Sequence, residues 1–399
     1  MGPRRVLFCL AALCWLVTGP VFAQEQVLGL RLGVHPDKTR IVLDLSGELP
    51  YSLFSLADPY RVVIDMPAVE WATGTGSAGA GGGLVAGYRF GLFRHDNSRV
   101  VLDLTQPAEV SKTFFLPAAA GKSVRLVIDL VPVDRAKFMA GAGFKGRMRV
   151  GDTVSGSSKG KAELPPPVIR SERITIVVDA GHGGVDPGAI SRSGHYEKNI
   201  VLDVARRVQR HLVQSGRYRV VMTRETDVFV PLRERVNIAR NAGADLFVSV
   251  HADSLRSAKV RGASVYSLSE KASDKEAAQL AAKENSSDVI AGISIGTETD
   301  DIVRSILIDL AQRETKNKSV RFAKLLLPEL GGVGALLRNS HRYAGFRVLT
   351  APDVPSVLVE LGLLSNAADE KLLMSAGGRD KLAAAIFRAI DQYFADRQS

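Results

Sequence analysis

The chain has 399 residues, 46% of them hydrophobic, and 52 Lys and Arg against 42 Asp and Glu give it a formal charge of +10. That length can bury two cores; its two cysteines, Cys9 and Cys14, fall in the first 23 residues, so a mature chain lacking those residues has neither a disulfide scaffold nor a catalytic thiol. The basic balance suits an anionic partner such as wall polymer or lipid, while nucleic acid is not expected, because no nucleic-acid-binding motif is present.

In chain order, Arg4 and Arg5 precede an apolar run over 6–17, and Val21-Phe22-Ala23 makes a small-x-small junction before Gln24. This is the pattern of a cleaved export leader, residues 1–23, too short for a comfortable membrane span. The paired arginines fit a twin-arginine signal as well as a general one. The leader carries two arginines and no acidic residue, so its removal lowers the charge from +10 to +8. No later segment is apolar for long enough to span a bilayer, so a mature chain without a transmembrane segment is expected.

Residues 24–135 read as a small all-β domain with an internal repeat. TRIVLDLSG at 39–47 matches SRVVLDLTQ at 98–106, and YRVVIDMP at 60–67 matches VRLVIDLVP at 124–132. Two units of short strands imply two packed sheets. Residues 72–87 read as a flexible glycine-rich loop, and His35 and His95 as isolated surface residues. From 136 to 172 the composition turns to Gly, Ser, Lys and Arg and ends in Pro165-Pro166-Pro167, a linker. The remainder, 173–399, alternates strands (174–179, 219–223, 246–250, 263–268, 346–349, 356–361) with helices (197–213, 232–242, within 273–330, 379–396). That alternation predicts a mostly parallel sheet covered on both faces.

Chemistry collects at the strand ends, where open α/β sheets bind ligands. The first strand delivers His182 inside Gly181-His182-Gly183-Gly184, another is followed by His251, and a third by Glu360. Glu197 opens the first helix, fifteen residues after His182. Two imidazoles and a carboxylate from separate elements make a three-donor set with room for water, the inventory of a hydrolytic zinc centre. No HExxH helix is present, so such a site is assembled only by the fold. Glu360 is the lone carboxylate of the apolar run 357–364 and must be paired or functional. Beside a metal it can take a proton from water and return it to a leaving nitrogen. His195 is a rival ligand but reads as a solvated loop residue. His211 in the first helix and His341 in a basic loop, 338–342, read as structural or surface, and the loop could also touch anionic wall.

Four blocks stand in order: Asp179-Ala180-Gly181-His182-Gly183-Gly184 with Asp186-Pro187-Gly188-Ala189, Tyr196-Glu197-Lys198-Asn199, Ser249-Val250-His251-Ala252-Asp253, and Val359-Glu360-Leu361-Gly362 with Ser365-Asn366. With them the second domain resembles the zinc-dependent N-acetylmuramoyl-L-alanine amidases. The resemblance implies zinc held by His182, Glu197 and His251, with Glu360 as catalytic acid/base. It implies a peptidoglycan hydrolase that cuts the amide between N-acetylmuramic acid and L-alanine for daughter-cell separation. His195 departs from the small or apolar residue more usual there. The N-terminal repeat resembles the AMIN domain, which implies targeting to the wall at division sites, in the periplasm at the septum. The expected fold is therefore a two-sheet AMIN domain followed by an α/β zinc-amidase domain. Two other readings stay open: a different zinc-dependent wall amide hydrolase, and a non-catalytic wall-binding adaptor.

The stretch 270–330 is longer than a crossover between strands needs, which marks a lid or switch. Its pieces 274–284 and 300–314 are amphipathic. In the second, Ile302, Ile306, Leu307 and Leu310 form a stripe that would serve core packing equally well. The resemblance implies a regulatory helix that occludes the site until a LytM-domain activator displaces it, with Glu284 as inhibitory zinc ligand and Glu298 as the alternative.

Overall fold

The computed structural model describes residues 25–72, 78–119, 121–142, 173–293 and 306–395. The expected leader, Glu298 and residues 143–172 of the expected linker lie outside them.

The N-terminal part is a sandwich of two five-stranded sheets. One orders Glu70–Trp71 (β5), Gln26–Val34 (β1), Thr39–Leu45 (β2), Val124–Pro132 (β10) and Ala108–Leu116 (β9). The other orders Ser52–Leu56 (β3), Arg61–Pro67 (β4), Asn97–Leu104 (β8), Val85–Arg94 (β7) and Ala78–Gly82 (β6). The repeat places its matching segments in opposite sheets. β2 of the first half pairs with β10 of the second (Ile41↔Ile128), and β4 pairs with β8 (Val63↔Val101). Each half thus completes the other's sheets. Between the sheets Ile41, Leu43, Val62, Ile64, Val100, Leu102, Leu126 and Ile128 are fully buried.

Two segments differ from the sequence expectation. Within 72–87, Ala78–Gly82 forms a strand in a hairpin with β7. A Cβ at Gly79 would lie 1.9 Å from the Tyr88 ring, so this glycine makes room for an aromatic ring. The first residues assigned to the linker are helical, Arg135–Gly141 (α1). Its N-cap Asp134 accepts from the Lys137 N–H, and Phe138 packs edge-on to Tyr60 at 4.9 Å.

The second part holds a six-stranded sheet: Tyr218–Met222 (β12), Ile174–Ala180 (β11), Leu246–His251 (β13), Ser356–Glu360 (β16), Ala263–Leu268 (β14) and Leu336–Ala344 (β15). β12, β11, β13 and β16 run parallel and β14 antiparallel to β16, so the sheet is mixed but mostly parallel. Glu197–Gln214 (α2), Ile306–Gly331 (α6) and Ala376–Ala395 (α8) cover one face. Leu232–Asn241 (α3) and Lys275–Glu284 (α4) cover the other. Ser287–Ile290 (α5) follows α4, and Ala367–Met374 (α7) precedes α8. No helix among the described residues is long and apolar enough to cross a membrane.

The expected strand at 346–349 is instead a single 3-10 turn, Arg347–Leu349. The basic stretch 338–342 is not a loop but part of β15. As the last strand of the sheet it tolerates exposed Arg338 and Asn339, which hid its strand character. The insert 270–330 divides. Phe322, Ala323, Leu326 and Leu330 of α6 are fully buried against α8 and β14, so that end is core. The side chains of the 302–310 stripe lie outside the described residues.

Candidate active site

β11 ends in a turn where the backbone is forced. His182 takes φ +58°, rare for a non-glycine residue, followed by Gly183 at +123° and Gly184 at +55°. Tight packing explains the neighbouring glycines: a Cβ on Gly181 would sit 2.4 Å from the His251 ring. β13 ends in His251, which stands in register beside Glu360 at the end of β16. Glu197 is the first residue of α2, and its carboxylate is pinned by two backbone donors. The Ala252 N–H donates to Oε1 and the Ala189 N–H to Oε2, each at 2.8 Å.

These side chains converge on one point. Glu197 Oε1 lies 3.2 Å from His182 Nε2 and 3.3 Å from His251 Nδ1, and all three residues are buried. A fourth donor, Glu284 Oε2 from the end of α4, lies 3.5 Å from His182 Nε2 and 3.3 Å from His251 Nδ1. Metal–ligand bonds of about 2.0–2.1 Å in a tetrahedron put ligand atoms about 3.3 Å apart, the spacing seen here. His182 Nε2 and His251 Nδ1 have no hydrogen-bond partner although buried, which fits lone pairs aimed at a cation. His182 Nδ1–H donates to Asp186 Oδ2 at 2.9 Å, the outer contact that fixes a metal-facing tautomer. The residues therefore fit a metal ion.

The electrostatics agree. Burial opposes a charge on His182, but Glu197, Asp186 and Glu284 outweigh it and raise the proton affinity of the ring well above its usual value. A pocket that negative favours any cation. Glu360 Oε2 accepts the Asp253 N–H at 2.8 Å, and Oε1 has no partner. Burial first, then the carboxylates of Asp253, Glu197 and Glu284, hold its pKa well above the carboxylate range. A carboxyl group with raised proton affinity is suited to taking up and returning a proton.

Residues 176–392 match the N-acetylmuramoyl-L-alanine amidase family, and residues 30–130 match the AMIN domain. The N-acetylmuramoyl-L-alanine amidase AmiC of Escherichia coli is 35% identical, over 98% of this chain and 96% of that protein. The chain belongs to the N-acetylmuramoyl-L-alanine amidase family. AmiC of Neisseria meningitidis is likewise 35% identical, over 97% of this chain and 94% of its own. Among solved structures, the amidase AmiC2 of Nostoc punctiforme is 27% identical with a TM-score of 0.41, covering 57% of this chain and 99% of that one. The protein is thus a peptidoglycan amidase, a cell-wall hydrolase with an N-terminal AMIN domain.

Several residues that sequence reading passed over hold this amidase site together. Arg235 donates to Asp179, to the Ala180 carbonyl and to the His182 carbonyl at 2.7–2.8 Å, and Arg224 donates to the Ala180 and Gly181 carbonyls. Burial would raise the Asp179 pKa, yet Arg235, Ser249 and Thr223 hold it low. Two buried arginines therefore brace the strained His182 turn. Both sit in polar-looking stretches (Met222-Thr223-Arg224-Glu225 and Leu232-Arg233-Glu234-Arg235), which conceal their burial in sequence. The remaining histidines stay apart. His195 is exposed and bonds Ser193 Oγ at 3.0 Å, His211 stacks on Phe387, His341 bonds Ser267 Oγ at 3.0 Å, and His35 and His95 are exposed.

Proposed function

We propose that this amidase uses zinc held by His182, Glu197 and His251, with Glu360 as catalytic acid/base. We further propose that its own residues 275–292 keep it latent until a LytM-domain activator displaces them, for daughter-cell separation at the septum in the periplasm. The observation that carries the reading is the placement of Glu284 Oε2 at the fourth corner of the donor set, 3.3–3.5 Å from both imidazole donors.

Zinc, when bound, supplies a Lewis acid that polarises the amide carbonyl and acidifies water. The chain's own residues do the rest. Asp186 orients His182, and the Ala252 and Ala189 amides orient Glu197. Glu360, with its raised proton affinity, suits a group that takes a proton from the attacking water and delivers it to the leaving nitrogen. Glu284 excludes both water and substrate from the fourth corner. Two neighbours secure it: Lys283 pairs with Asp253, and Ser287 Oγ donates to Asp186 Oδ2. The AMIN domain and the charge of +8 expected after leader removal suit placement on an anionic wall.

Release of peptide from dye-labelled sacculi tests the reading. Zinc-loaded wild type should be nearly silent alone, Glu284→Lys active without a partner, and the product a free lactyl-muramic end. Equal basal release by the two proteins would overturn latency.

A further inference from the structure

The AMIN sheet that contains β4 is buried on both faces. Val62, Ile64, Val100 and Leu102 face the sandwich core, while Val63 and Val101, on the opposite face, are also fully buried. Gly292, at the end of the segment that carries Glu284, lies against that outer face. A Cβ there would be 3.1 Å from Val63 and 3.2 Å from Val101.

Three arginines stand around these valines, one on each of β4, β7 and β8. Arg61 Nη1 donates to the Val289 carbonyl, Arg89 Nε to the Ile290 carbonyl at 2.5 Å, and Arg99 Nη1 to the Ala291 and Gly292 carbonyls at 3.0 and 3.2 Å. The last carbonyls of a helix have no partner within it, and α5 has only four residues. Guanidinium groups from another domain satisfy them. Arg99 is fixed for this by paired bonds to Asp65 and Arg89 by Asp103, so the donors are set before the segment arrives. The same β7 edge touches the catalytic turn: the Phe229 N–H donates to the Leu92 carbonyl, Phe93 stacks on Phe229, and a Cβ at Gly184 would lie 1.7 Å from the Leu92 carbonyl oxygen.

We propose that the outer face of this AMIN sheet is the docking surface for residues 289–292, so that Arg61, Arg89 and Arg99 clamp the carboxyl end of the inhibitory segment while Lys283, Glu284 and Ser287 anchor its start in the active site. The AMIN domain is then part of the latch, and drawing it away from the catalytic domain loosens the segment. The proposal rests on the reading of Glu284 as an inhibitor.

The test uses the full zinc-loaded protein and two readouts: basal release from sacculi, and hydrogen exchange of the 283–293 amides with 246–251 as the folding control. Arg61→Gln with Arg89→Gln removes two charged donors. It should speed exchange across 283–293 and raise basal release about tenfold or more, leaving 246–251 protected. Arg99→Gln alone, with Arg61 and Arg89 intact, should act in the same direction. Wild-type exchange across 283–293 in these variants would overturn the clamp, even if Glu284→Ala is active. Faster exchange without added release, while Glu284→Ala is active, would overturn its regulatory role. A silent Glu284→Ala would instead overturn the inhibitor reading, and the regulatory sense of the clamp with it.

Discussion

Asp129, on β10 of the AMIN domain, accepts two bonds from Arg40 at 2.7 and 2.8 Å and one from Lys38 at 3.1 Å. The Arg40 bonds, against the opposing effect of burial, draw its pKa from 3.8 down to about 2. A carboxyl that ionises more readily when folded contributes stability that is complete above about pH 4 and lost as pH falls through about 2. The shift corresponds to about 2 kcal/mol. Trp71, stacked on Phe90 at 4.1 Å, reports on this domain by fluorescence. Urea unfolding followed there should weaken between pH 4 and 2 in wild type and much less in Asp129→Asn. At the catalytic end, His182→Ala, Glu197→Ala and His251→Ala should each lower bound zinc, measured by elemental analysis. Glu360→Gln in a Glu284→Lys background should keep zinc and lose turnover about a hundredfold or more, because it removes only proton transfer. Stoichiometric zinc in His251→Ala would discard the ligand set.

At the scale of elements, the stretch between β14 and β15 behaves as two devices. α4 brings Glu284 to the donor set and α5 brings Ser287 to Asp186, whereas α6 is core, so deletion of all of 270–330 should unfold the catalytic domain. Phe322→Ala alone should cost about 3–5 kcal/mol, read as a lower thermal midpoint, with no release of latency. The sequence made the parallel strands plain because runs such as Ile176–Val178 and Val357–Val359 are apolar without interruption. It exposed His182, His251 and Glu360 because each ends or closely follows such a run, and Glu197 because it opens the first helix. It hid β15, whose arginines and asparagine belong to a sheet edge, and the alanine–glycine strand β6, where Gly79 lacks a side chain so that Tyr88 can lie across it. Asp186, Arg224, Arg235 and Ser287 were hidden for another reason. Arg224, Arg235 and Ser287 bond backbone carbonyls or a carboxylate supplied by distant parts of the chain, and the bond from His182 to Asp186, four residues on, depends on the unusual backbone of the His182 turn, so no local pattern marks such a debt.

For the whole molecule, the proposed targeting role of the AMIN domain can be separated from hydrolysis by truncation. A protein truncated to begin at Arg173 should keep its hydrolytic chemistry and lose its septal placement, checked by fluorescence microscopy of tagged versions. Normal placement would remove the targeting role. If Glu284 completes the shell around the ion, linkage requires that the ion tighten the closed segment by as much as the segment tightens the ion. Wild type should then surrender zinc to a chelator more slowly than Glu284→Ala, and stripping the ion should set the 283–293 amides exchanging. The silent form would be the better custodian of the ion, and an awakened molecule would work on borrowed time wherever zinc is scarce.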